Sequence, residues 1–202
     1  MSFVWKSDKD FYKITKDLNL KHAHISYDLD NPVIERLYNI FKISQEQSHI
    51  DGDFAECGVY YGGTAIFMET QCKTMLHLFD SWQGISELTE YDNEFYKDNK
   101  FAGNIIYTIR LFKDSNKVRL YRGWIPDRFK DVPDVRFSLV HLDLDLYNPT
   151  KASLEFFMDR MSLGGKIVCD THEGTGTGVK KAIDELFDDY TVLSTGQIII
   201  SF

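Results

Sequence analysis

Two aspartates spaced two residues apart, Asp143 and Asp145, follow an apolar run at residues 137–142. A run of this kind is typical of a buried parallel strand, and ligands of open α/β sheets collect at the carboxyl ends of such strands. Because strand side chains repeat every second residue, both aspartates point to the same side while the chain stays extended. The pair could hold a cation, or one carboxylate could bind a ligand while the other accepts a proton.

A second candidate site is a glycine-containing turn after a predicted strand at residues 54–59. Glu56 stands where the first glycine of G-x-G-x-x-G would be, which argues against a dinucleotide pyrophosphate. A carboxylate suits a cofactor with a positive charge and an amino-acid moiety, as S-adenosylmethionine has, and Gly58 and Gly62 would let the backbone approach closely. Asp80, at the end of the next strand, is predicted to accept hydrogen bonds from ribose hydroxyls. A plain tight turn and a capping role for Asp80 remain open alternatives.

Strands that alternate with helices would position these residues. The pattern predicts parallel strands at five places, followed by a terminal antiparallel hairpin: 54–59, 75–80, 118–121, 137–142, 166–169, then 190–193 and 197–202. Helices are expected to start at Asn31-Pro32 and Thr64, to span residue 148 to about residue 161 with Gly164-Gly165 as the stop, and to span residues 179–187. This order predicts an α/β fold with a mostly parallel sheet and helices on both faces.

The composition limits the classes of protein that fit. With 202 residues, 43% of them hydrophobic, the chain suits one well-packed α/β domain. Its 31 acidic and 23 basic residues give a net charge of −8, and it has no long basic run, so nucleic acid is not an expected partner. No segment approaches the ~20 apolar residues that a membrane span needs. We therefore expect a soluble, cytoplasmic protein with no membrane partner.

The three cysteines, Cys57, Cys72 and Cys169, show no ligand-like pairing and are expected to be free, buried thiols. Residues 1–30 show no clear period and are expected to form short helices or loops. Together with the helix that follows, they make a predicted N-terminal helical appendage of residues 1–50, and residues 51–202 make the main domain.

Taken together, these motifs resemble the macrocin O-methyltransferase family, which comprises sugar-modifying members of the S-adenosylmethionine-dependent methyltransferases. The resemblance covers about residues 53–190 and rests on five segments: Glu56-Cys-Gly58-Val-Tyr60-Tyr-Gly62-Gly63, Asp80-Ser81-Trp82-Gln-Gly84, Gly123-Trp124 with Asp127, Leu142-Asp-Leu-Asp-Leu-Tyr147, and Gly164-Gly-Lys-Ile-Val-Cys-Asp170. It implies a Rossmann-like class I methyltransferase fold with a seven-stranded sheet, in which residues 51–202 form the methyltransferase domain. The implied cofactor site contains eight residues: Glu56, Gly58, Tyr60, Gly62, Asp80, Ser81, Trp82 and Asp143.

The resemblance also implies a magnesium ion, or a similar divalent ion, held by aspartates. On the matching positions Asp143 and Asp170 would be metal ligands and Asp145 the general base. The family usually has a second aspartate directly after Asp170, where this chain has Thr171. The Thr171 hydroxyl could still act as an oxygen ligand in a weaker site. Alternatively, Glu173 could substitute, and His172 would favour a transition metal.

Several other residues allow two interpretations. Trp82 could stack on adenine or anchor a surface turn. His141, within the apolar run, is expected to be a satisfied core residue, while His172 could touch the site. Residues 87–99 could form a lid over the substrate or a solvated loop. Gly123-Trp124 could lie near the cofactor or form a structural turn.

The expected activity is metal-assisted methyl transfer to a hydroxyl of a sugar, in a glycosylated small molecule or a polysaccharide precursor. A small-molecule or saccharide acceptor is therefore the expected partner, and a homo-oligomer is an open alternative to a monomer. Three other functions remain: a catechol-type metal-dependent O-methyltransferase, a degenerate methyltransferase that binds the cofactor without catalysis, and a Rossmann-class oxidoreductase. The missing first glycine of the nucleotide motif disfavours the last of these.

Overall fold

A computed structural model of the chain describes residues 4–21, 29, 34–97, 101–171 and 176–202. Seven strands form one sheet in the order β3-β2-β1-β4-β5-β7-β6. Their bounds are β1 Asp53–Cys57, β2 Leu76–Asp80, β3 Val118–Arg122, β4 Phe137–Leu142, β5 Met161–Cys169, β6 Thr191–Val192 and β7 Ile198–Ser201. Strands β1 to β5 pair in parallel, and β7 pairs antiparallel with β5 and β6. The predicted mostly parallel seven-stranded sheet with a C-terminal hairpin is confirmed.

Helices separate most of the strands, as predicted, but the helix at residues 105–111 was not predicted, and the predicted helix start at Asn31-Pro32 lies outside the described residues. The bounds of the helices are α1 Val4–Ser7, α2 Lys9–Lys21, α3 Ile34–Gln47, α4 Ala65–Gln71, α5 Ile105–Leu111, α6 Tyr147–Met158 and α7 Thr177–Asp184. The sequence places the end of α6 too late and makes Gly164-Gly165 its stop. In the structure β5 already begins at Met161, and both glycines lie within this strand. Within the described ranges, no helix is long and apolar enough to cross a membrane.

Strand alternation divides the core into two layers. Apolar residues of α6 and α7, such as Leu154, Phe157 and Ile183, pack on one face of the sheet. Ile40 of α3 and Met68 of α4 pack on the other. Helices therefore cover both faces, as predicted. On the α3 face the strands contribute Phe54, Leu139 and Val168, so the residues two positions further along each strand point toward α3 as well.

Aromatic packing joins the N-terminal helices to the rest of the chain. Phe11 of α2 is fully buried, and its ring lies 5.6 Å from Phe41 of α3 and 5.0 Å from Phe67 of α4. The Trp5 indole N–H donates to the Leu29 carbonyl at 3.0 Å. The helical character expected for this part of the chain is present in α1 and α2. The boundary at residue 50 stays a prediction.

Candidate active site

One cavity of about 430 Å³ opens at the carboxyl ends of four parallel strands. Residues directly after these strands line it, among them Gly58 after β1, Ser81 after β2, Gly123 after β3 and Asp143 after β4. This is the edge at which ligands of open parallel sheets bind, and the volume is typical of a small-molecule site. Of the residues predicted from sequence to be functional, six line the cavity: Gly58, Tyr60, Asp80, Ser81, Asp143 and Asp145.

Asp80 organises the loops after β1 and β2. Its Oδ2 accepts hydrogen bonds from the backbone N–H groups of Val59 and Tyr60 at 2.8 and 2.7 Å, and its Oδ1 accepts one from Trp82 N–H at 2.5 Å. Burial raises the pKa of Asp80, although these N–H donors favour the charged form. Ser81 stabilises the following turn by donating to the Gly84 carbonyl at 3.2 Å. The carboxylate thus fixes the backbone that a cofactor would approach, and the predicted ribose contact stays a prediction.

Trp82 and Gly62 lie outside the cavity lining. The Trp82 side chain is only 6% exposed and packs in the α3-side core, and its indole N–H donates to the Tyr60 carbonyl at 2.8 Å. Gly62 has φ +87° and closes a turn in which its N–H donates to the Val59 carbonyl at 2.7 Å. Both residues therefore support the loop after β1 from behind. Their direct contact with a cofactor stays a prediction.

Strained backbone concentrates around the cavity. Among the described residues other than glycine, positive φ occurs at Tyr60, Trp82, Phe101 and Asp145. Three of the four, Tyr60, Phe101 and Asp145, line the cavity. Left-handed backbone costs a non-glycine residue free energy and persists where the surrounding structure enforces it, often at functional sites. The outliers therefore mark this edge of the sheet as the candidate site on grounds independent of residue type.

Asp143 and Asp145 diverge after the strand ends. The Asp143 N–H still continues the sheet by donating to the Cys57 carbonyl at 2.9 Å, whereas Asp145 adopts φ +62°. The extended geometry assumed for the pair from sequence therefore stops between them. Burial raises the pKa of Asp143 well above its usual value, and the charges of Asp170 and Asp145 raise it further. The Tyr96 hydroxyl donates to Asp145 Oδ1 at 3.0 Å.

Tyr96 belongs to a segment, residues 89–96, that closes one side of the cavity. Asp92 holds this segment in place: its Oδ1 accepts the N–H of Tyr147 at the start of α6 at 2.7 Å, and its Oδ2 accepts the N–H and the hydroxyl of Thr89, both at 2.7 Å. The Thr177 hydroxyl of α7 donates to the Tyr91 carbonyl at 2.8 Å. The described part of the predicted lid is therefore anchored to two helices. Residues 98–99 lie outside the described residues.

Glu56, His141 and Asp170 form a buried polar cluster on the α3 face of the sheet. We call these three residues, together with Arg36 of α3, the Asp170 cluster. Glu56 Oε1 lies 3.0 Å from His141 Nδ1, and His141 Nε2 lies 3.4 Å from Asp170 Oδ1. Arg36 pairs with Asp170 Oδ2 at 3.1 Å, and the Gln197 amide donates to Asp170 Oδ1 at 2.8 Å. Neither Glu56 nor Asp170 lines the cavity, so the cluster lies behind its wall.

The charges in the Asp170 cluster compensate one another. Burial opposes a charge on His141, but its ion pair with Asp170, its hydrogen bond with Glu56 and the attraction of both carboxylates outweigh burial and raise the pKa of His141 to about 10. Burial likewise opposes ionisation of Asp170, yet His141 and Arg36 lower its pKa. The expectation that His141 is a satisfied core residue thus understates its role, because it bridges two acids on different strands.

The described residues do not fit a divalent metal ion. They contain no group of three or more histidine, cysteine, aspartate or glutamate side chains that could hold one. The Asp170 carboxylate is paired with Arg36, and the Thr171 hydroxyl donates to the Gly196 carbonyl at 2.6 Å. Of the predicted ligands Asp143, Asp170 and Thr171, only Asp143 faces the cavity. His172 and Glu173, proposed from sequence as further ligands, lie outside the described residues.

The apolar wall of the cavity was predicted only in part from sequence, because Trp124 and the segment that contains Phe95 were possible site residues, whereas Phe101 was not predicted. Phe95 and Phe101 are each 48% exposed and Trp124 is 38% exposed, and all three line the cavity. Their exposure is a signal only once the fold is known, because an aromatic in a loop has many structural uses. Among the described residues that line the cavity there is no lysine or arginine. The site therefore combines acidic groups with apolar surface.

Proteins of known activity share sequence with this chain. A 26% identity over 140 residues links it to the 8-demethyl-8-(2,3-dimethoxy-alpha-L-rhamnosyl)-tetracenomycin-C 4'-O-methyltransferase of Streptomyces olivaceus, covering 61% of this chain and 54% of the relative. The demethyldecarbamoylnovobiocin O-methyltransferase of Streptomyces niveus is 26% identical over 160 residues, covering 69% of this chain and 60% of the relative. The match thus spans little more than half the length of these relatives.

The fold and the match to a family model agree with these sequence similarities. The structure of the O-methyltransferase NovP superposes with a TM-score of 0.71 at 21% identity, covering 88% of this chain and 82% of that one. This likeness shows a class I methyltransferase fold. The model of the macrocin-O-methyltransferase (TylF) family matches residues 34–195, which include the cavity and the Asp170 cluster. The chain therefore belongs to the macrocin-O-methyltransferase family.

Proposed function

We propose that the chain is an S-adenosylmethionine-dependent O-methyltransferase whose acceptor is a hydroxyl of a sugar, in a glycosylated small molecule or a polysaccharide precursor. The observation that carries the proposal is the single cavity that brings Asp145 together with Gly58, Asp80 and Ser81. Membership of the family supports methyl transfer, and the relative named for a rhamnosyl tetracenomycin supports a sugar hydroxyl as acceptor.

The residues of the cavity suit this chemistry. S-adenosylmethionine supplies an electrophilic methyl group when it is bound. A sugar hydroxyl is a poor nucleophile while it keeps its proton, so a carboxylate must accept that proton as the oxygen attacks. Asp145 is the candidate base, and Tyr96 holds its Oδ1 in a fixed direction. The walls would then align the hydroxyl with the methyl group, which supplies much of the rate enhancement. No step is assigned to a metal ion, because the described donors do not fit one.

The charges near the cavity favour an uncharged acceptor over a nucleotide sugar. Three carboxylates line the cavity, namely Asp80, Asp143 and Asp145, and no described lining residue offers a cation to a diphosphate. Lysines border the flanking depressions, but Lys97 pairs with Glu94 at 2.5 Å and Lys151 with Glu185 at 2.7 Å. The exposed rings of Phe95, Phe101 and Trp124 suit the apolar face of a sugar or of an aglycone.

A methylation assay tests the proposal. The purified chain, methyl-labelled S-adenosylmethionine and a panel of uncharged glycosides, nucleotide sugars and catechols would be incubated, and the products identified by mass spectrometry. We expect O-methylation of uncharged glycosides. Asp145→Asn should bind S-adenosylhomocysteine as wild type does and lose about 100-fold or more in turnover, because the base is gone. Asp134→Asn, at an exposed position, is the matched control and should keep full activity.

Four outcomes would contradict parts of this assignment. Undiminished turnover by Asp145→Asn removes the base. Methylation of catechols alone moves the chain to the catechol-type function. Cofactor binding without methylation of any compound favours a degenerate methyltransferase, whereas stabilisation by NAD but not by S-adenosylhomocysteine would point to an oxidoreductase.

A further inference from the structure

We propose that the guanidinium group of Arg36 takes the place of a divalent metal ion beside Asp170, so that this chain works without a bound metal. The replacement of a metal ion by Arg36 concerns the Asp170 cluster alone. The statement that the chain works without a bound metal rests on the methyl transfer proposed above. The residues that carry it are outside the cavity lining, on the α3 face of the sheet.

The position of Arg36 follows from the fold. Strand alternation turns Glu56, His141 and Asp170 toward α3, and Arg36 lies in the first turn of that helix, next to the end of β5. One of its terminal nitrogens contacts both Asp170 Oδ2, at 3.1 Å, and the Thr171 carbonyl, at 3.0 Å. The other donates to the Thr195 carbonyl at 2.6 Å. The guanidinium therefore binds the Asp170 carboxylate, which is a predicted metal ligand, and the neighbouring Thr171 carbonyl.

The second oxygen of the Asp170 carboxylate is also occupied. Gln197 donates to Asp170 Oδ1 at 2.8 Å, and its own Oε1 accepts from Asn39 of α3 at 2.9 Å. The Thr171 hydroxyl is directed to the Gly196 carbonyl at 2.6 Å, away from Asp170. A divalent ion would have to displace Arg36 and the amide of Gln197 to reach the Asp170 carboxylate. Such a displacement would leave a buried guanidinium without its charge partner, which is costly.

The absence of a second aspartate after Asp170 fits this arrangement. A divalent ion brings two positive charges and is usually held by one or two carboxylates together with other oxygen ligands. Arg36 brings only one positive charge, and a single ionised Asp170 balances it. An aspartate at position 171 would add an uncompensated buried charge here, so threonine, whose hydroxyl bonds to the β6–β7 turn, is the residue that suits the arginine.

Binding of Mn²⁺ alone, followed by electron paramagnetic resonance, tests the inference without cofactor or acceptor. The full chain is dialysed against a chelator and titrated with MnCl₂. We expect no stoichiometric site in wild type. Arg36→Gln removes the positive charge from Asp170 and should strengthen Mn²⁺ binding about tenfold or more, since electrostatic repulsion of the ion is gone. Arg36→Lys keeps the charge and should behave as wild type.

Arg136→Gln is the matched control, because Arg136 also donates to a backbone carbonyl, that of Asp159 at 2.6 Å. One tightly bound Mn²⁺ in wild type, lost in Asp170→Asn, would overturn the inference. So would a folded Arg36→Gln protein that binds no more Mn²⁺ than wild type. The wild-type titration decides the question even if Arg36→Gln fails to fold. Because no methylation is measured, failure of the proposed function would appear separately, in the methylation assay.

Discussion

At the scale of single residues, Gly58 shows how closely two strand ends approach at the site. It has φ +89°, and a Cβ added there would lie 1.9 Å from the Asp143 carbonyl oxygen. That carbonyl belongs to the backbone of the chain after β4 and cannot turn away as a side chain could. The glycine is therefore required both by its backbone conformation and by the space around it.

Gly58→Ala should lower the free energy of unfolding by about 1–3 kcal/mol through overpacking and weaken binding of S-adenosylhomocysteine at least tenfold, because the ends of β1 and β4 must separate. Gly164→Ala is the matched control. Gly164 also has positive φ, at +82°, but the nearest atom to an added Cβ is Ile50 Cδ1 at 3.5 Å. Gly164→Ala should lower the free energy of unfolding only through backbone strain, by roughly 1–2 kcal/mol, and should leave the affinity for S-adenosylhomocysteine unchanged. Urea denaturation and calorimetry measure both effects, and equal losses of affinity in the two variants would contradict the explanation.

His141 makes stability depend on pH in a defined direction. Its pKa is raised from 6.5 to about 10 in the folded protein, where Glu56 and Asp170 face its ring and Arg36 lies beyond Asp170. A raised pKa stabilises the protonated folded state, so this contribution is complete below pH 6.5 and is lost as the pH rises toward about 10. As the pH rises from 6.5 to about 10, the unfolding free energy of His141→Gln should fall less than that of the wild-type protein. Parallel slopes in the two proteins would show that His141 does not titrate there.

At the scale of elements, the segment of residues 89–96 connects the wall of the cavity to α6 and α7. Asp92→Ala removes the acceptor for the first N–H of α6 and for Thr89, so we expect a loss of about 1 kcal/mol in stability. Because this segment carries Tyr96, KM for the acceptor should rise and kcat should fall, with affinity for S-adenosylhomocysteine little changed. Steady-state kinetics and calorimetry test this. Weaker binding of S-adenosylhomocysteine by this variant, with KM and kcat unchanged, would contradict the prediction.

Elements with local signals are the ones that the sequence predicted well. The apolar run at residues 137–142 coincides with β4, and the strand-turn-helix around Gly58 is present as expected. The end of α6 was misplaced because Gly164 and Gly165 resemble a helix stop. In the structure both lie in β5, between residues 161 and 166, where its pairing with β4 shifts in register. An added Cβ at Gly165 would lie 2.8 Å from the Ser162 carbonyl oxygen.

At the scale of the whole molecule, the strand order places the ends of β1, β2 and β4 side by side. This order was not predicted, but the parallel sheet that brings these ends to one edge could be derived from the alternation of helices and strands. The partners of the site residues could not. Tyr96 with Asp145, and Arg36 with Asp170, are contacts between distant parts of the chain that leave no trace in local spacing. The same limit explains Trp82, since spacing alone does not reveal that its ring turns into the core behind the loop.

The most direct test is a crystal structure of the chain with S-adenosylhomocysteine and an uncharged glycoside. We expect the adenosine against Asp80 and Ser81, the sulfur over Gly58, and the acceptor hydroxyl between that sulfur and the Asp145 carboxylate. A complex in which the ligand binds away from this cavity, or in which Asp145 is out of reach of the acceptor hydroxyl, would contradict the proposed function.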